Sequence, residues 1–206
     1  RSYPNYQPVF LGGKIVTGSD RNCQDRWLMI KAVIQDLSCK SLIDIGCAEG
    51  FYVLQAAREC GVVSLGIDSD PRRLSVAQAQ LTVECIMPAG FLLGDVDQEF
   101  LAKLPRYDLA VFMSVLHHVM YAEGLEKSRE LMAALRPVVG KAMIFEMGQS
   151  DEIENKWAKS LPDMGTRPHE WIRNFILNCG YSRVTKIGES DSYRKDQKRA
   201  IFKVEP

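Results

Sequence analysis

The sequence has no excess of charge of either sign, since its 206 residues include 26 basic and 26 acidic side chains. A protein that holds a nucleic-acid backbone needs clustered lysine and arginine, so this balance argues against a dedicated nucleic-acid-binding protein. The sequence also lacks the run of about 20 apolar residues that a membrane-spanning helix requires. Its longest apolar runs, around 109–113 and 142–145, have the length of strands. We therefore expect a soluble protein.

Paired cysteines are absent as well: the six cysteines include no C-x-x-C pair, and no histidine lies at zinc-ligand spacing from them. Scattered cysteines in a chain of this size indicate reduced thiols, which favours a cytoplasmic protein over one built on disulfides. No segment resembles a signal peptide, and the first residue is Arg1 rather than Met. We expect the chain to be trimmed or to be part of a longer protein.

The composition, 46% hydrophobic and 25% charged, is that of a globular protein and excludes intrinsic disorder. The length and the absence of repeats or linkers predict a single domain. Residues 1–20 show little periodicity and are predicted to form an irregular arm. Strands are predicted at 41–45, 62–67, 91–93, 109–113, 143–145, 181–187 and 200–204, and helices at 23–37, 51–59, from 70 onward, 119–135 and 168–179.

The alternation of these elements indicates the fold class. Continuous apolar strands that alternate with helices predict an α/β protein whose parallel sheet is covered by helices on both faces. The last two strands are joined by a polar link and predict an antiparallel hairpin at one edge.

The segment 42–51, LIDIGCAEGF, is the most informative part of the chain. A strand that ends in small residues and passes directly into a helix lets the backbone approach a ligand and presents N–H groups to it. The next strand ends at Asp68, 22 residues after Gly46, where a carboxylate can accept hydrogen bonds from both hydroxyls of a ribose. The alternative is that Gly46 and Gly50 only permit a tight turn and Asp68 caps the next helix. A dinucleotide is disfavoured, because Phe51 stands where G-x-G-x-x-G needs its third glycine.

The string Asp44-x-Gly46-x-Ala48-x-Gly50 resembles motif I of the class I S-adenosylmethionine (SAM) dependent methyltransferases, with Ala48 in place of the middle glycine. The strings GDV at 94–96 and YDLAVFMS at 107–114 resemble later motifs of that family, in the family's order. The resemblance implies a Rossmann-like, seven-stranded, mostly parallel sheet with an antiparallel last strand. It also implies SAM as the cofactor.

By the same resemblance, Asp44 would hold the methionine part of the cofactor, Asp68 the ribose and Asp95 the adenine amino group. Arg21 is included because its guanidinium can bind a carboxylate or phosphate; the alternative is a surface arginine. The candidate cofactor-binding residues are Asp44, Gly46, Cys47, Ala48, Gly50, Asp68, Ser69, Asp95, Val96, Ser114 and Arg21.

Two adjacent histidines follow the strand predicted at 109–113. His117 or His118 could act as a general base, given an unperturbed pKa of about 6.5. The alternative is that both only shape the pocket, because methyl transfer from a sulfonium mainly requires alignment. Their spacing does not predict a metal site, since adjacent side chains point in different directions. The candidate substrate contacts are Tyr6, Glu146, Trp157 and Arg167.

A narrower resemblance rests on the strings YQ at 6–7, NCQDR at 22–26, GCAEGF at 46–51 and SVLHHV at 114–119, together with residues 170–180. These are similar to the methyltransferase half of bacterial kinase-methyltransferases that cap O-antigen chains. Within the domain we expect an arm and helix over the cofactor at 1–40, a SAM-binding core at 41–148, a lid or substrate wall at 149–170, and a terminal helix and hairpin at 171–206.

We therefore expect a SAM-dependent methyltransferase that acts on an oxygen of a small molecule, glycan or phosphosugar. One alternative is an RNA methyltransferase, which would need a basic strip beside the pocket. The residues that could supply it are Arg194, Lys195, Lys198 and Arg199, although the same residues also fit a solvated hairpin. The other is a SAM-binding module without catalysis. The sequence leaves the acceptor, the use of a general base and the oligomeric state open.

Overall fold

The structure is a computed structural model, and it describes residues 6–18, 23–192 and 197–206. Seven strands form one sheet in the order β5-β4-β3-β6-β7-β9-β8. The strands are β3 (Ser41–Ile45), β4 (Val63–Asp68), β5 (Ala89–Leu93), β6 (Tyr107–Met113), β7 (Val139–Glu146), β8 (Arg183–Asp191) and β9 (Lys198–Glu205). The α-helices are α1 (Cys23–Asp36), α2 (Phe51–Cys60), α3 (Pro71–Val83), α4 (Gln98–Leu101), α5 (Leu116–Leu135) and α6 (Pro168–Asn178).

The sheet confirms the predicted fold class. Strands β3, β4 and β5 pair in parallel, as do β6 and β7. Strand β9 is antiparallel to both β7 and β8, which gives the expected antiparallel last strand. The strands have continuous apolar cores because helices cover parallel sheets, and Leu42, Ile43 and Ile45 of β3 are all buried.

The prediction of an irregular arm was wrong for the part of it that the structure describes. Strands β1 (Val9–Leu11) and β2 (Lys14–Thr17) form an antiparallel hairpin. Gly12 and Gly13 connect them with φ of 62° and 71°. A two-residue hairpin turn of this kind needs positive φ at both positions, so a Gly-Gly pair between short apolar segments is a hairpin signal.

The chain divides into two compact units, with the boundary between Val96 and Asp97. In the first unit, α2 and α3 follow β3 and β4, and α3 begins at Pro71 with Asp70, rather than Asp68, as its N-cap. In the second unit, α5 begins at Leu116 rather than at residue 119. His117 and His118 therefore lie in the first turn of a helix that directly follows β6.

Candidate active site

A tight turn, residues 46–50, joins β3 to α2 in the first unit. Gly46, Ala48 and Gly50 have φ of 78°, 50° and 80°, and the N–H groups of Gly46 and Cys47 both donate to the Ile67 carbonyl. Only glycine adopts such left-handed angles without strain, which explains the two glycines. Ala48 has a Cβ and adopts its left-handed angle at a cost of about 1–2 kcal/mol.

Asp68, at the end of β4, is hydrogen-bonded to this turn. Its Oδ2 accepts a hydrogen bond of 2.8 Å from the Ala48 N–H, and its Oδ1 accepts one of 2.9 Å from the Asp70 N–H. A carboxylate has about four acceptor positions, so two more donors can be accommodated. The side chain is partly exposed, which leaves it accessible to a ligand.

Asp44 lies within β3 and is almost completely buried. Its Oδ2 has no hydrogen-bond partner among the residues that the structure describes. Burial, followed by the nearby charge of Asp68, raises the pKa of the Asp44 carboxyl well above its usual value. A buried carboxylate oxygen without a donor is costly, so this atom is suited to a ligand that brings a donor or a positive charge.

The other predicted cofactor residues of the first unit lie at or near these strand ends. Cys47 is fully buried, and burial raises the pKa of its thiol well above the usual value. Ser69 and Asp95 are exposed, while Val96 is half-buried. Gly94, just before Asp95, donates its N–H to the Asp68 carbonyl at 3.1 Å, so the segment after β5 continues beside the end of β4. Arg21 lies outside the described residues.

Glu49 is the residue of this turn that the sequence analysis missed. Its side chain is only 1% exposed, and its carboxylate accepts hydrogen bonds from the backbone N–H groups of Tyr6 and Gln7. The Arg73 guanidinium also donates to it at 2.9 Å and lies over the Tyr6 ring. Tyr6, predicted as a substrate contact, is thereby held at the glycine turn. No spacing rule links Glu49 to a segment more than 40 residues earlier, so the sequence offered no signal.

Replacing Gly50 with alanine tests the close packing of the turn. A Cβ there would lie 2.5 Å from the Phe91 ring in a left-handed backbone, so we expect a loss of about 3 kcal/mol in the free energy of unfolding. Gly61→Ala is a matched control, because Gly61 also has positive φ but a Cβ there would meet nothing within 4 Å. Its expected loss is about 1 kcal/mol. Urea denaturation measures both, and equal losses would contradict the packing argument.

In the second unit, polar side chains gather where β6 and β7 end. Ser114 follows β6 with φ of 60°, an unusual angle for a residue with a side chain. Its Oγ donates to Glu146 Oε1 at 2.7 Å, and its N–H donates to the Glu146 carbonyl. Two predicted residues, one for the cofactor and one for the substrate, are thus in contact.

Arg199 of β9 completes this cluster, and its role was not predicted. Its guanidinium is 1% exposed, makes two hydrogen bonds of 2.7 Å to the Glu152 carboxylate, and donates to Glu146 Oε1 at 3.2 Å. As a member of the basic strip that an RNA acceptor would need, Arg199 was wrongly predicted: it lies in the terminal hairpin, but its side chain is buried among carboxylates. Of the other strip residues, Arg194 and Lys195 lie outside the described residues, and Lys198 pairs with Asp191.

The two histidines differ in their surroundings. His117 is buried, and its Nδ1 accepts the Gly148 N–H at 3.0 Å, so a neutral ring carries its proton on Nε2. His118 is exposed, and its ring centroid lies 4.2 Å from that of His117. The Trp157 ring packs on the His117 ring, with centroids 4.3 Å apart. It also packs on Gly148, where an added Cβ would lie 2.2 Å from the indole. This packing requires glycine at position 148.

Arg167, the remaining predicted substrate residue, is not in this group of contacts. Its side chain is 75% exposed and pairs with Glu170 on the first turn of α6. Among the described residues, no group of three or more His, Cys, Asp and Glu side chains could hold a metal ion. No helix in the described part of the chain is long and apolar enough to cross a membrane.

Comparison with known proteins defines the class. A family model described as a methyltransferase domain matches residues 42–138, which span the glycine turn, Asp68 and the histidine pair. The fold is shared with magnesium protoporphyrin IX methyltransferase (ChlM) from Synechocystis PCC 6803, solved with bound SAM, at a TM-score of 0.61 and 18% identity over 88% of this chain and 80% of that one. Residues 42–138 therefore match a methyltransferase domain, and the chain has the Rossmann-like fold of a methyltransferase that was solved with SAM.

Particular relatives are more similar in sequence. Two curated Escherichia coli proteins, each named O-antigen chain terminator bifunctional methyltransferase/kinase WbdD, are 29% identical to the chain over 97% of its length. A crystal structure of WbdD aligns with a TM-score of 0.76 and 26% identity, covering 91% of this chain and 41% of that one. The chain spans 27% of the length of these curated relatives.

Proposed function

We propose that the chain is a SAM-dependent methyltransferase that transfers the methyl group to an oxygen of a small molecule or of a glycan or phosphosugar. The observation that carries the proposal is the match of 97% of the chain to proteins named as O-antigen chain terminators. This share is larger than the segment 42–138 that the general methyltransferase model matches. The neutral net charge and the buried position of Arg199 speak against an RNA acceptor.

The residues of the first unit fit the cofactor. SAM supplies a methyl group on a positively charged sulfonium, which is already activated for displacement. Asp44, with its donor-free Oδ2, would accept the ammonium group of the methionine part, and Asp68 would accept the ribose hydroxyls. The turn at 46–50 would lie against the cofactor by its backbone, while Ser69, Asp95 and Val96 would hold the adenosine end.

Residues of the second unit would serve the acceptor. In sheets of this kind, ligands bind outside the carboxyl ends of the parallel strands, where Ser114 and Glu146 lie. We assign proton removal from a hydroxyl acceptor to His118. His117 would instead donate from Nε2, since its Nδ1 already accepts the Gly148 N–H. Trp157 and the surrounding segment 149–170 would form one wall of the acceptor site.

The His118→Gln variant distinguishes a hydroxyl acceptor from a phosphate acceptor. A hydroxyl must lose a proton, so His118→Gln should lower turnover by a factor of about 10² to 10⁴. A phosphate oxygen is already ionised near neutral pH, because its second pKa is about 6, so the same change should cost less than about tenfold. His169→Gln, on α6 beside Lys186 and Glu189, is the control and should keep full turnover.

The test of the proposal is transfer of a labelled methyl group from SAM to defined acceptors. The wild-type chain would be incubated with oligosaccharides that carry or lack a terminal phosphate, with RNA and with a small-molecule extract. We expect labelling of the saccharide or small-molecule fraction. Labelling confined to RNA would overturn the proposed acceptor class. SAM binding by calorimetry without labelling of any fraction would instead indicate a SAM-binding module without catalysis.

A further inference from the structure

The N-terminal strap, residues 6–11, is bound to the glycine turn through buried polar side chains. The Glu49 carboxylate accepts hydrogen bonds of 3.0 Å from the N–H groups of both Tyr6 and Gln7. Gln7 and Glu49 are both almost completely buried. Burying a carboxylate is costly unless it is hydrogen-bonded, and without the strap Glu49 would lose two N–H donors and keep the Arg73 guanidinium.

Gln7 also caps the helix that follows the turn. Its Oε1 accepts the Phe51 N–H at 2.9 Å, at the start of α2. The N-cap residue of α2 is Gly50, which has no side chain with which to cap the helix itself. The first N–H groups of a helix lack partners within the helix, and a side-chain oxygen usually supplies one. Here that oxygen comes from a segment 44 residues away in sequence.

A third buried side chain joins the strap and the turn. Gln80 of α3 accepts the Phe10 N–H at its Oε1 and donates its Nε2 to the Glu49 carbonyl, both at 2.8 Å. The Phe10 ring packs on Phe51 with centroids 5.8 Å apart. Two backbone groups at the turn and the start of α2 are thus linked to the strap. The Phe51 N–H binds Gln7 of the strap, and the Glu49 carbonyl binds Gln80, which also binds the strap at Phe10.

We propose that Gln7 and Glu49 are positioning residues for the cofactor, which hold the glycine turn and the start of α2 in the form that binds SAM. The inference rests on the proposed contact between the turn and the cofactor. Docking of the strap and binding of SAM then stabilise each other, because coupling between two binding events is reciprocal. Loss of strap contacts raises the dissociation constant and the KM for SAM and leaves kcat unchanged.

Calorimetry and steady-state kinetics on Gln7→Ala and Glu49→Gln test this coupling. We expect the dissociation constant for SAM to rise by about tenfold in each variant, which lies within the usual range for coupling between two sites, with kcat within about twofold of wild type. Gln55→Ala is one control: it removes a buried amide of α2 that donates to Glu59 of the same helix. Ser75→Ala is the other: it removes an exposed hydroxyl of α3 that donates to the Arg72 carbonyl of the same helix. Both controls should bind SAM as wild type does.

Hydrogen exchange on the wild-type chain gives a second readout that does not depend on a variant folding. The amides of Tyr6, Gln7 and Phe10 should exchange at least about tenfold more slowly with saturating SAM than without it. Unchanged exchange, variants with wild-type affinity, or a fall in kcat at unchanged affinity would each overturn the positioning role. Failure of the wild-type chain to bind SAM would instead overturn the assignment of the turn to the cofactor.

Discussion

Asp68→Ala is expected to weaken SAM binding by about a hundredfold. The change removes the proposed acceptor of two ribose hydroxyl groups, and a hydrogen bond to a charged group contributes about 1.5–3 kcal/mol. It also removes the hydrogen bond that holds the Ala48 N–H, so the left-handed residue at the centre of the turn loses its anchor. Calorimetry with SAM measures the change in dissociation constant.

Asp70→Ala is the matched control for this experiment. Asp70 is the neighbouring carboxylate and caps α3 by accepting the Arg72 N–H at 2.9 Å. Its loss should reduce the free energy of unfolding by about 1 kcal/mol and leave SAM binding unchanged. An Asp68→Ala variant that binds SAM within about threefold of wild type would show that the ribose is held elsewhere.

Arg199→Met is expected to lower the free energy of unfolding by about 3–5 kcal/mol. The change removes the guanidinium between Glu146 and Glu152, two carboxylates that are both almost completely buried. Burial of carboxylates that have lost their cationic partner raises their pKa. The folded variant then binds protons more readily than the unfolded chain, so the loss should be larger at pH 8 than at pH 5.

A surface arginine of the adjacent strand provides the control. Arg183 of β8 is 70% exposed and lies 3.7 Å from a Glu205 oxygen. Arg183→Met should change the free energy of unfolding by less than about 1 kcal/mol at either pH. Urea denaturation of both variants at the two pH values decides the matter. A buried charge cluster would be ruled out if both variants lost the same free energy of unfolding. It would also be ruled out if the loss in Arg199→Met did not depend on pH.

The N-terminal hairpin shows how a local signal can be overlooked. Gly12 and Gly13 form a recognisable two-residue turn, yet β1 and β2 are only three and four residues long. Short strands give almost no periodicity, so the hairpin depends on the glycine pair and on its packing against α3. The start of α5 at Leu116 rather than residue 119 was missed because its N-cap residue is Val115, whose side chain cannot cap a helix, while the Ser114 hydroxyl donates to Glu146 instead.

Sequence by itself determined the strand–helix alternation, the glycine turn and the pairing of that turn with Asp68. These features follow from local rules: continuous apolar runs mark buried parallel strands, and small residues are required where φ is positive. Asp68 could be predicted because it ends the strand next to β3, and a parallel register places neighbouring strand ends together.

Only the tertiary structure decided which polar side chains are buried together. Glu49 with Gln7, and Arg199 with Glu146 and Glu152, are pairs separated by more than 40 residues. The His117 contact with Gly148 spans 31 residues. In sequence these residues resemble ordinary surface polar groups, because nothing local distinguishes a solvated charge from a buried one. Their partners come from other elements, and it is the packing of those elements that excludes water and makes each hydrogen bond necessary.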